Sequence, residues 1–310
     1  MINLVKLHFK APLHLGQAGL GLEESTLVLH SDTLYSSIFQ VWLRLYGEPL
    51  PPEITLTSAF PFIAGTCYFP RPLLPAPGYT TELAMKYGKD LKRLNFISQE
   101  HFARWVQGVP LDFEQLVAEG KKLGEAMGTG VRAQVALDRL HSNSALYFVG
   151  ETFFAKDREA GLFFLVDLPA GCWPAFQAAM KMLGEEGIGG RRSRGYGIFE
   201  PEFVTGFSLV DIDKPDAYLT LSLVYPAGPD ELQDNLIAYQ LVERMGWLEN
   251  RDGNLAQRHQ RVLMFSEGSV FRRPARGRLL DVAPPGFKAH PVYRNGLAFN
   301  VGVKLGADAQ

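Results

Sequence analysis

Cysteine is nearly missing from this sequence: Cys67 and Cys172 are the only two, far apart and in no CxxC spacing. Two such residues cannot close a zinc site or a disulfide framework, and their scarcity implies a reduced, cytoplasmic setting. Long apolar runs are missing too. No stretch approaches the roughly 18 residues of a membrane helix, and the amino terminus opens on a strand-like alternation, Ile2 to Phe9, instead of a leader. No membrane role is expected. Charge is nearly balanced, with 31 Lys and Arg against 33 Asp and Glu for a net −2. Any polyanion must therefore be met by a local basic patch. Catalytic signatures are absent as well. His8, His14, His30, His101, His141, His259 and His290 are scattered, with no HxxxH, carboxylate cluster or GxSxG. No metal and no cofactor is expected.

What is present in abundance is glycine beside arginine at one place. Gly187-Ile188-Gly189-Gly190-Arg191-Arg192-Ser193-Arg194-Gly195-Tyr196-Gly197 packs five glycines and three arginines into eleven residues. Glycine allows positive φ and close backbone approach, so N–H groups can converge on an anion. Arginine adds a planar, permanently charged fork suited to phosphate. The order of elements around the loop narrows the ligand. Upstream, Trp173-Pro174 opens a helix carrying Phe176, Ala179, Met180 and Leu183, closed at Gly184; downstream, Ile198 to Val204 reads as an edge strand because of Pro201. Nucleotide-binding loops run strand, loop, helix, and Tyr196-Gly197 stands where a Walker loop needs Lys-Ser/Thr. ATP and NAD are excluded. Arg194-Gly195-Tyr196-Gly197 instead matches the first four positions of the RNP1 signature, although Ile198 and Pro201 miss its later aromatic positions. The loop reads as a holder for an RNA backbone.

Along the chain, Val5, Leu7 and Phe9 alternate with Lys6, His8 and Lys10, giving a strand with one basic face. His30-Ser31-Asp32-Thr33 precedes a helix with an apolar stripe at Leu34, Ile38, Val41, Trp42 and Leu45, so Ser31 or Asp32 is the expected N-cap. Ile54 to Phe62 reads as a strand, residues 79–128 as a charged helical insertion, and Leu146 to Phe154 with Leu162 to Leu168 as a hairpin. The resulting β-α-β-β-α-β order predicts a ferredoxin-like (RRM-like) domain over 1–205. A polar connector, 206–217, leads to a second unit, 218–310. Its alternating Leu219, Leu221, Leu223 and Tyr225, a helix from Pro229-Asp230, and strands at 245–248, 262–271 and 297–305 suggest a degenerate second copy. The fold class expected is α+β, two ferredoxin-like domains in tandem.

Several of these stretches occur together in one family. His30 to Ser36, the glycine-arginine loop and Phe265-Ser266-Glu267-Gly268-Ser269-Val270-Phe271 resemble the RAMP superfamily of CRISPR proteins. Lys92 to Ser98, Ala136-Leu137-Asp138-Arg139 and Tyr293-Arg294-Asn295-Gly296 narrow the likeness to the Csm subunit four family, in the Cas-five group of type III-A complexes. The resemblance implies a noncatalytic RNA-binding subunit for antiviral defence that holds the 5′ tag of the CRISPR RNA. It also implies contacts with the large Cas-ten subunit (Csm subunit one) and the backbone Csm subunit three. Two alternatives stay open: a metal-independent RNA-processing endoribonuclease, with His14 and then His290 as its base, or the equivalent type III-B subunit.

The candidate RNA-binding residues are Gly187, Gly189, Gly190, Arg191, Arg192, Ser193, Arg194, Gly195, Tyr196 and Gly197, with His30, Ser31, Asp32 and Thr33. Tyr196 either stacks on a base or packs on its own strand. The helix-opening segment either caps alone or also meets a phosphate through free N–H groups. Arg132, Arg272, Arg273, Arg276 and Arg294 are candidate RNA or partner contacts. For Arg132 and Arg139 a surface ion pair is the plainer role, while Arg278 shares the basic run of Arg272 to Arg276.

Overall fold

The computed structural model describes residues 2–16, 21–138, 144–248, 257–288 and 290–305. Arg139 and His141 lie outside these residues. The first unit runs β1 (Ile2–Phe9), α1 (Ser31–Tyr46), β2 (Thr55–Leu56), β3 (Phe60–Ile63), β4 (Thr66–Pro70), α2 (Thr81–Arg93), β5 (Phe96–Ser98), α3 (Gln99–Val106), α4 (Phe113–Ala126), β6 (Met127–Leu137), β7 (Ser144–Phe154), β8 (Ala160–Asp167), α5 (Trp173–Glu186) and β9 (Phe199–Val204). The second comprises β10 (Ala217–Thr220), β11 (Leu236–Ala238), β12 (Leu241–Arg244), β13 (Val262–Phe265), β14 (Val270–Phe271), β15 (Gly277–Asp281), β16 (Tyr293–Leu297) and β17 (Asn300–Val303). The chain is α+β.

The main sheet is ordered β5-β4-β3-β8-β1-β9, with β2 beside β8, and all its pairings are antiparallel. Within it, β9-β1-β8-β3 is the order in which a split β-α-β unit closes, and α1 packs against α5. β8 is buried along nearly its whole length, which its apolar run Leu162 to Val166 dictates. The core beneath is aromatic. Phe163 meets Phe69 at 5.2 Å and Phe60 at 6.1 Å between centroids, and Phe69 stacks on Phe102 at 4.8 Å. This cluster ties the helical segment to the sheet, and β5 extends the sheet from within that segment.

Local chemistry explains most boundaries. α1 buries Leu34, Ile38, Val41 and Trp42 and stops at Gly47, whose φ of 71° lets its N–H reach the Leu43 carbonyl. Leu45 departs from the expected stripe and is 42% exposed. α5 runs past Gly184 to Glu186. Gly184 is there for packing, since a Cβ would stand 2.4 Å from the Phe199 carbonyl oxygen. The basic face of β1 is neutralised by its neighbour. Lys6 and His8 each reach Glu202 at 2.8 Å, and Lys10 reaches Glu200 at 2.6 Å.

Several expectations change, among them a strand expected at 245–248 that falls at Leu241–Arg244 and one over 262–271 that divides into β13 and β14. β7 pairs with β6 over eleven residues instead of with β8, which joins β1 and β3. The apolar run of β8 suits the buried sheet centre, whereas β6 and β7 alternate and stand out as an arm. The strand expected over 54–62 is two, β2 and β3, interrupted at Thr57-Ser58. The helix expected from Pro229 is a single 3₁₀ turn, Pro229–Glu231, after which Leu236–Ala238 joins a four-stranded sheet ordered β11-β14-β10-β17. Among the described residues the second unit holds no α-helix. One hydrophobic core runs through both units, from Leu4 and Phe164 to Leu219, Val270 and Val301.

Phe163→Ala should lower unfolding stability by about 3–5 kcal/mol, read as a reduced urea midpoint with an unchanged slope. A loss under 1 kcal/mol would show that the aromatic cluster is not the centre of the core.

Candidate nucleic-acid interface

The glycine-arginine loop closes on itself before it faces outward. Ile188 N–H donates to the Gly197 carbonyl at 3.0 Å, while Gly190 and Gly197 donate to His14 and Pro12 carbonyls at 2.9 and 2.8 Å. Two glycines are sterically required. A Cβ on Gly197 would stand 1.9 Å from the Ile188 oxygen, and one on Gly187 2.4 Å from the Tyr196 oxygen. Both have positive φ, 72° and 81°. Several glycine amides are thus spent inside the protein, so they frame the loop instead of cradling an anion. Gly189 packs on the His14 carbonyl and Gly190 on the His14 ring, whereas Gly195 (φ 80°) meets open space.

The loop tip is a short 3₁₀ turn, Arg192–Arg194, entered through Arg191 at φ 61°. Ser193 and Arg194 are exposed and Arg192 is half-buried. Arg191 serves another purpose. Its Nη2 donates to Gln134 Oε1 at 2.8 Å and to the Tyr147 hydroxyl at 3.0 Å, and its guanidinium lies 5.4 Å from the Tyr147 ring centroid. Arg191 Nε is buried without a hydrogen-bond partner among the described residues. Tyr196 packs inward, 7% exposed, and does not offer its ring to a base. Its hydroxyl donates to the Glu151 carboxylate and accepts from Gln134 Nε2 at 3.0 Å. Burial, with the Glu151 carboxylate, pushes the phenol above its ordinary pKa, so it remains a neutral donor. Arg132 reaches Glu151 at 3.0 Å while its side chain stays 61% exposed.

Gln134, Tyr147 and Glu151 were missed in the sequence; only the alternation of Arg132 and Gln134 along β6 hinted at a polar face there. The opposite face of this arm carries Val131, Val135, Leu137 and Leu146, all more than half exposed. His14 is buried beneath the loop, and its Nδ1 lies 2.7 Å from the Gly150 carbonyl. His290 is exposed, with Nδ1 3.1 Å from the Pro291 carbonyl. His14 lies against the loop at Gly190, whereas His290 is an exposed residue of the second unit.

The start of α1 has a different role from the one expected. The N-cap position is His30, and no side chain caps the helix there. Ser31 and Asp32 are buried and engaged by the second unit, so they do not face a phosphate. Asp32 Oδ2 receives Arg244 Nε at 2.9 Å and a second hydrogen bond from Arg294 Nη1. Arg244 Nη2 also donates to Asp32 Oδ1 and to Thr33 Oγ1, each at 3.0 Å. His30 Nδ1 meets the Glu267 carboxylate at 2.8 Å, and Ser58 donates to the same group. Ser31 Oγ accepts the Leu223 N–H at 3.0 Å. Arg294 is 7% exposed and is an internal partner, not a surface contact. Burial would raise the Asp32 pKa, but the Arg244 and Arg294 charges outweigh it and hold the carboxyl well below its usual range. Glu267 is held low against its own burial by His30 and Ser58.

The remaining arginines lie on the second unit. Arg272, Arg273, Arg276 and Arg278 are exposed. Arg273 Nη2 donates to the Gln233 carbonyl at 2.9 Å, and the Arg278 guanidinium lies 5.3 Å from the Tyr225 ring centroid. The Glu231 carboxylate accepts the backbone N–H groups of Arg276 and Gly277, holding this basic turn in place. Among the described residues no group of His, Cys, Asp and Glu could hold a metal, and no helix is long and apolar enough to cross a membrane.

Comparison with known proteins fits this arrangement. The RAMP superfamily profile matches residues 6–200, and that of the CRISPR Csm4 C-terminal domain matches 213–303. The chain belongs to the Csm4 family, with a RAMP superfamily domain. Csm4 of Mycobacterium tuberculosis is 28% identical over 284 residues, covering 88% of this chain and 89% of that protein. A chain of the crystallised Csm1-Csm4 cassette in complex with cA4 aligns with a TM-score of 0.65, 21% identity and 98% coverage of each. A chain of the Csm3-Csm4 subcomplex of the type III-A CRISPR-Cas interference complex aligns with a TM-score of 0.64 and 16% identity, covering 98% of this chain and 100% of that one. At these identities the likeness shows a shared fold.

Asp32→Asn should cost about 3–5 kcal/mol at pH 7, because it strands two buried guanidinium groups. Both carboxylates here have depressed folded pKa values, so their stabilisation is complete above about pH 5 and is lost progressively as pH falls through the folded values. Urea titrations from pH 7 to pH 2 should show the wild type losing stability on the acid side and Asp32→Asn losing less. Parallel acid limbs would assign that acid sensitivity elsewhere.

Proposed function

We propose that this chain is the noncatalytic subunit that holds the 5′ tag of the CRISPR RNA in a type III-A effector complex. It docks the large Cas-ten subunit, Csm1, and the backbone subunit, Csm3. The observation that carries this reading is the loop over 187–197: an Arg192-Ser193-Arg194 turn, exposed at Ser193 and Arg194, set on a frame fixed by glycine packing and by Arg191. A rigid, cationic, outward-pointing turn suits a sugar-phosphate strand, because little ordering is needed when it binds. The exposed Arg132 on the neighbouring arm, bridged to Glu151, presents a further guanidinium beside the loop.

The partner assignment rests on the kinds of assembly in which similar chains occur, the Csm1-Csm4 cassette and the Csm3-Csm4 subcomplex. The apolar face of the β6–β7 arm supports it, since an exposed patch of Val, Leu and Phe is ordinarily covered by a neighbouring subunit. The exposed turn of Arg272, Arg273 and Arg276 is a second surface for an RNA or an acidic partner. For the architecture, the β9-β1-β8-β3 order supports a ferredoxin-like module over 1–205. The antiparallel sheet after the 206–217 connector is read as a degenerate copy over 218–310 that has lost its helices.

Replacing Arg192 and Arg194 together with alanine should weaken binding of tag-bearing RNA. It should also reduce the slope of log K against log salt by about 0.7 for each phosphate no longer engaged, with the thermal midpoint unchanged. Anisotropy titrations over a salt series measure both. Wild-type affinity and slope in the double variant would remove the loop as the holder. RNA cleavage by the wild type in EDTA would overturn the noncatalytic assignment.

A further inference from the structure

Trp247 is the outlier among the four tryptophans: Trp42 and Trp105 are buried and Trp173 half-buried, whereas Trp247 is 59% exposed. It is not a loose side chain. The Arg258 guanidinium lies 4.5 Å from its ring centroid. Trp247 and Arg258 face each other across an antiparallel bridge, flanked by hydrogen bonds from Leu248 N–H to the Gln257 carbonyl at 2.8 Å and from His259 N–H to the Gly246 carbonyl at 2.9 Å. The pair continues the β12–β13 hairpin, so the ring and its cation are set by the backbone before any ligand arrives. Even with the guanidinium over the ring, more than half of the residue is exposed.

Arg244, three residues before Trp247, bonds Asp32 at the start of α1 at 2.9 Å. The connection from β1 to α1 carries Pro12 and His14, whose carbonyls receive the Gly197 and Gly190 N–H groups. Phe9 pairs with Phe199 at that same end of the sheet. The β12–β13 hairpin is thus tied to the start of α1, and the arginine loop to the connection that leads from β1 to it.

We propose that Trp247, with Arg258 stacked on it, is a nucleobase-stacking platform for single-stranded RNA. The proposal rests on the RNA-holding reading above and adds a contact from the second unit. An indole backed by a guanidinium offers a flat π surface with positive charge behind it, which matches a planar base carrying an anionic backbone. Stacking of this kind tolerates any base, so the platform holds the strand without selecting a sequence.

The test uses the full chain and a fluorescein-labelled single-stranded RNA octanucleotide, alongside the same octanucleotide with abasic sites. Trp247→Ala should weaken binding of the base-bearing RNA by about fivefold to 150-fold, and Trp247→Phe should restore most of it. The abasic RNA should bind the wild type and Trp247→Ala alike. Thermal midpoints within a degree or two of wild type confirm that the hairpin still folds. If Trp247→Ala binds within twofold of wild type while Arg192→Ala/Arg194→Ala does not, the platform is refuted and the loop reading stands. If neither variant changes affinity, both fall. Unchanged RNA affinity together with failure to co-purify a Csm1-type or Csm3-type partner would make this surface a protein contact and overturn the proposal.

Discussion

A carboxylate with no access to water holds the two halves of this protein in register. Asp32, at the start of the first long helix, receives hydrogen bonds from Arg244 and Arg294, both supplied by the second unit. A buried ion pair adds little net stability over an apolar contact, but losing one partner is costly, so it tolerates a single docking geometry. His30, Ser58 and Glu267 add a second buried polar set beside it. The shared hydrophobic core supplies the nondirectional attraction, and these charges select the orientation. That orientation in turn sets the β12–β13 hairpin relative to the loop over 187–197.

The glycine loop was legible in the sequence as a place; its internal division of labour was not. Composition and the helix-loop-strand order located it, and the edge position of β9 agrees with Pro201. No local pattern could assign Arg191 to Gln134 and Tyr147, or Tyr196 to Glu151, because those partners lie 44 to 62 residues away. The same holds more strongly for Asp32, whose arginines lie 212 and 262 residues downstream. Read locally, Ser-Asp-Thr before an apolar run describes a helix cap, and tertiary pairing overrode that reading.

Strand pairing was legible where burial dictated it. The apolar run of β8 places it at the sheet centre, and β1 shows its inner face by alternation alone. The β6–β7 arm was harder, since its two strands are separated by few residues and each resembles an ordinary sheet strand. Only the pairing itself shows that they leave the sheet together. The second unit was least legible. Leu232 and Leu236 have helical spacing, yet Leu236 sits in a strand beside Phe271, where cross-strand burial outweighs propensity.

One edge of the main sheet ends in β9, a six-residue strand bearing Pro201, with Glu200 tied to Lys10 and Glu202 to Lys6. A proline and a row of engaged carboxylates make a poor template for another strand. Copies of this chain are thereby discouraged from zipping together sheet to sheet along that border. Such a border favours growth of an assembly through projecting arms and basic turns, where each contact is particular to its neighbour.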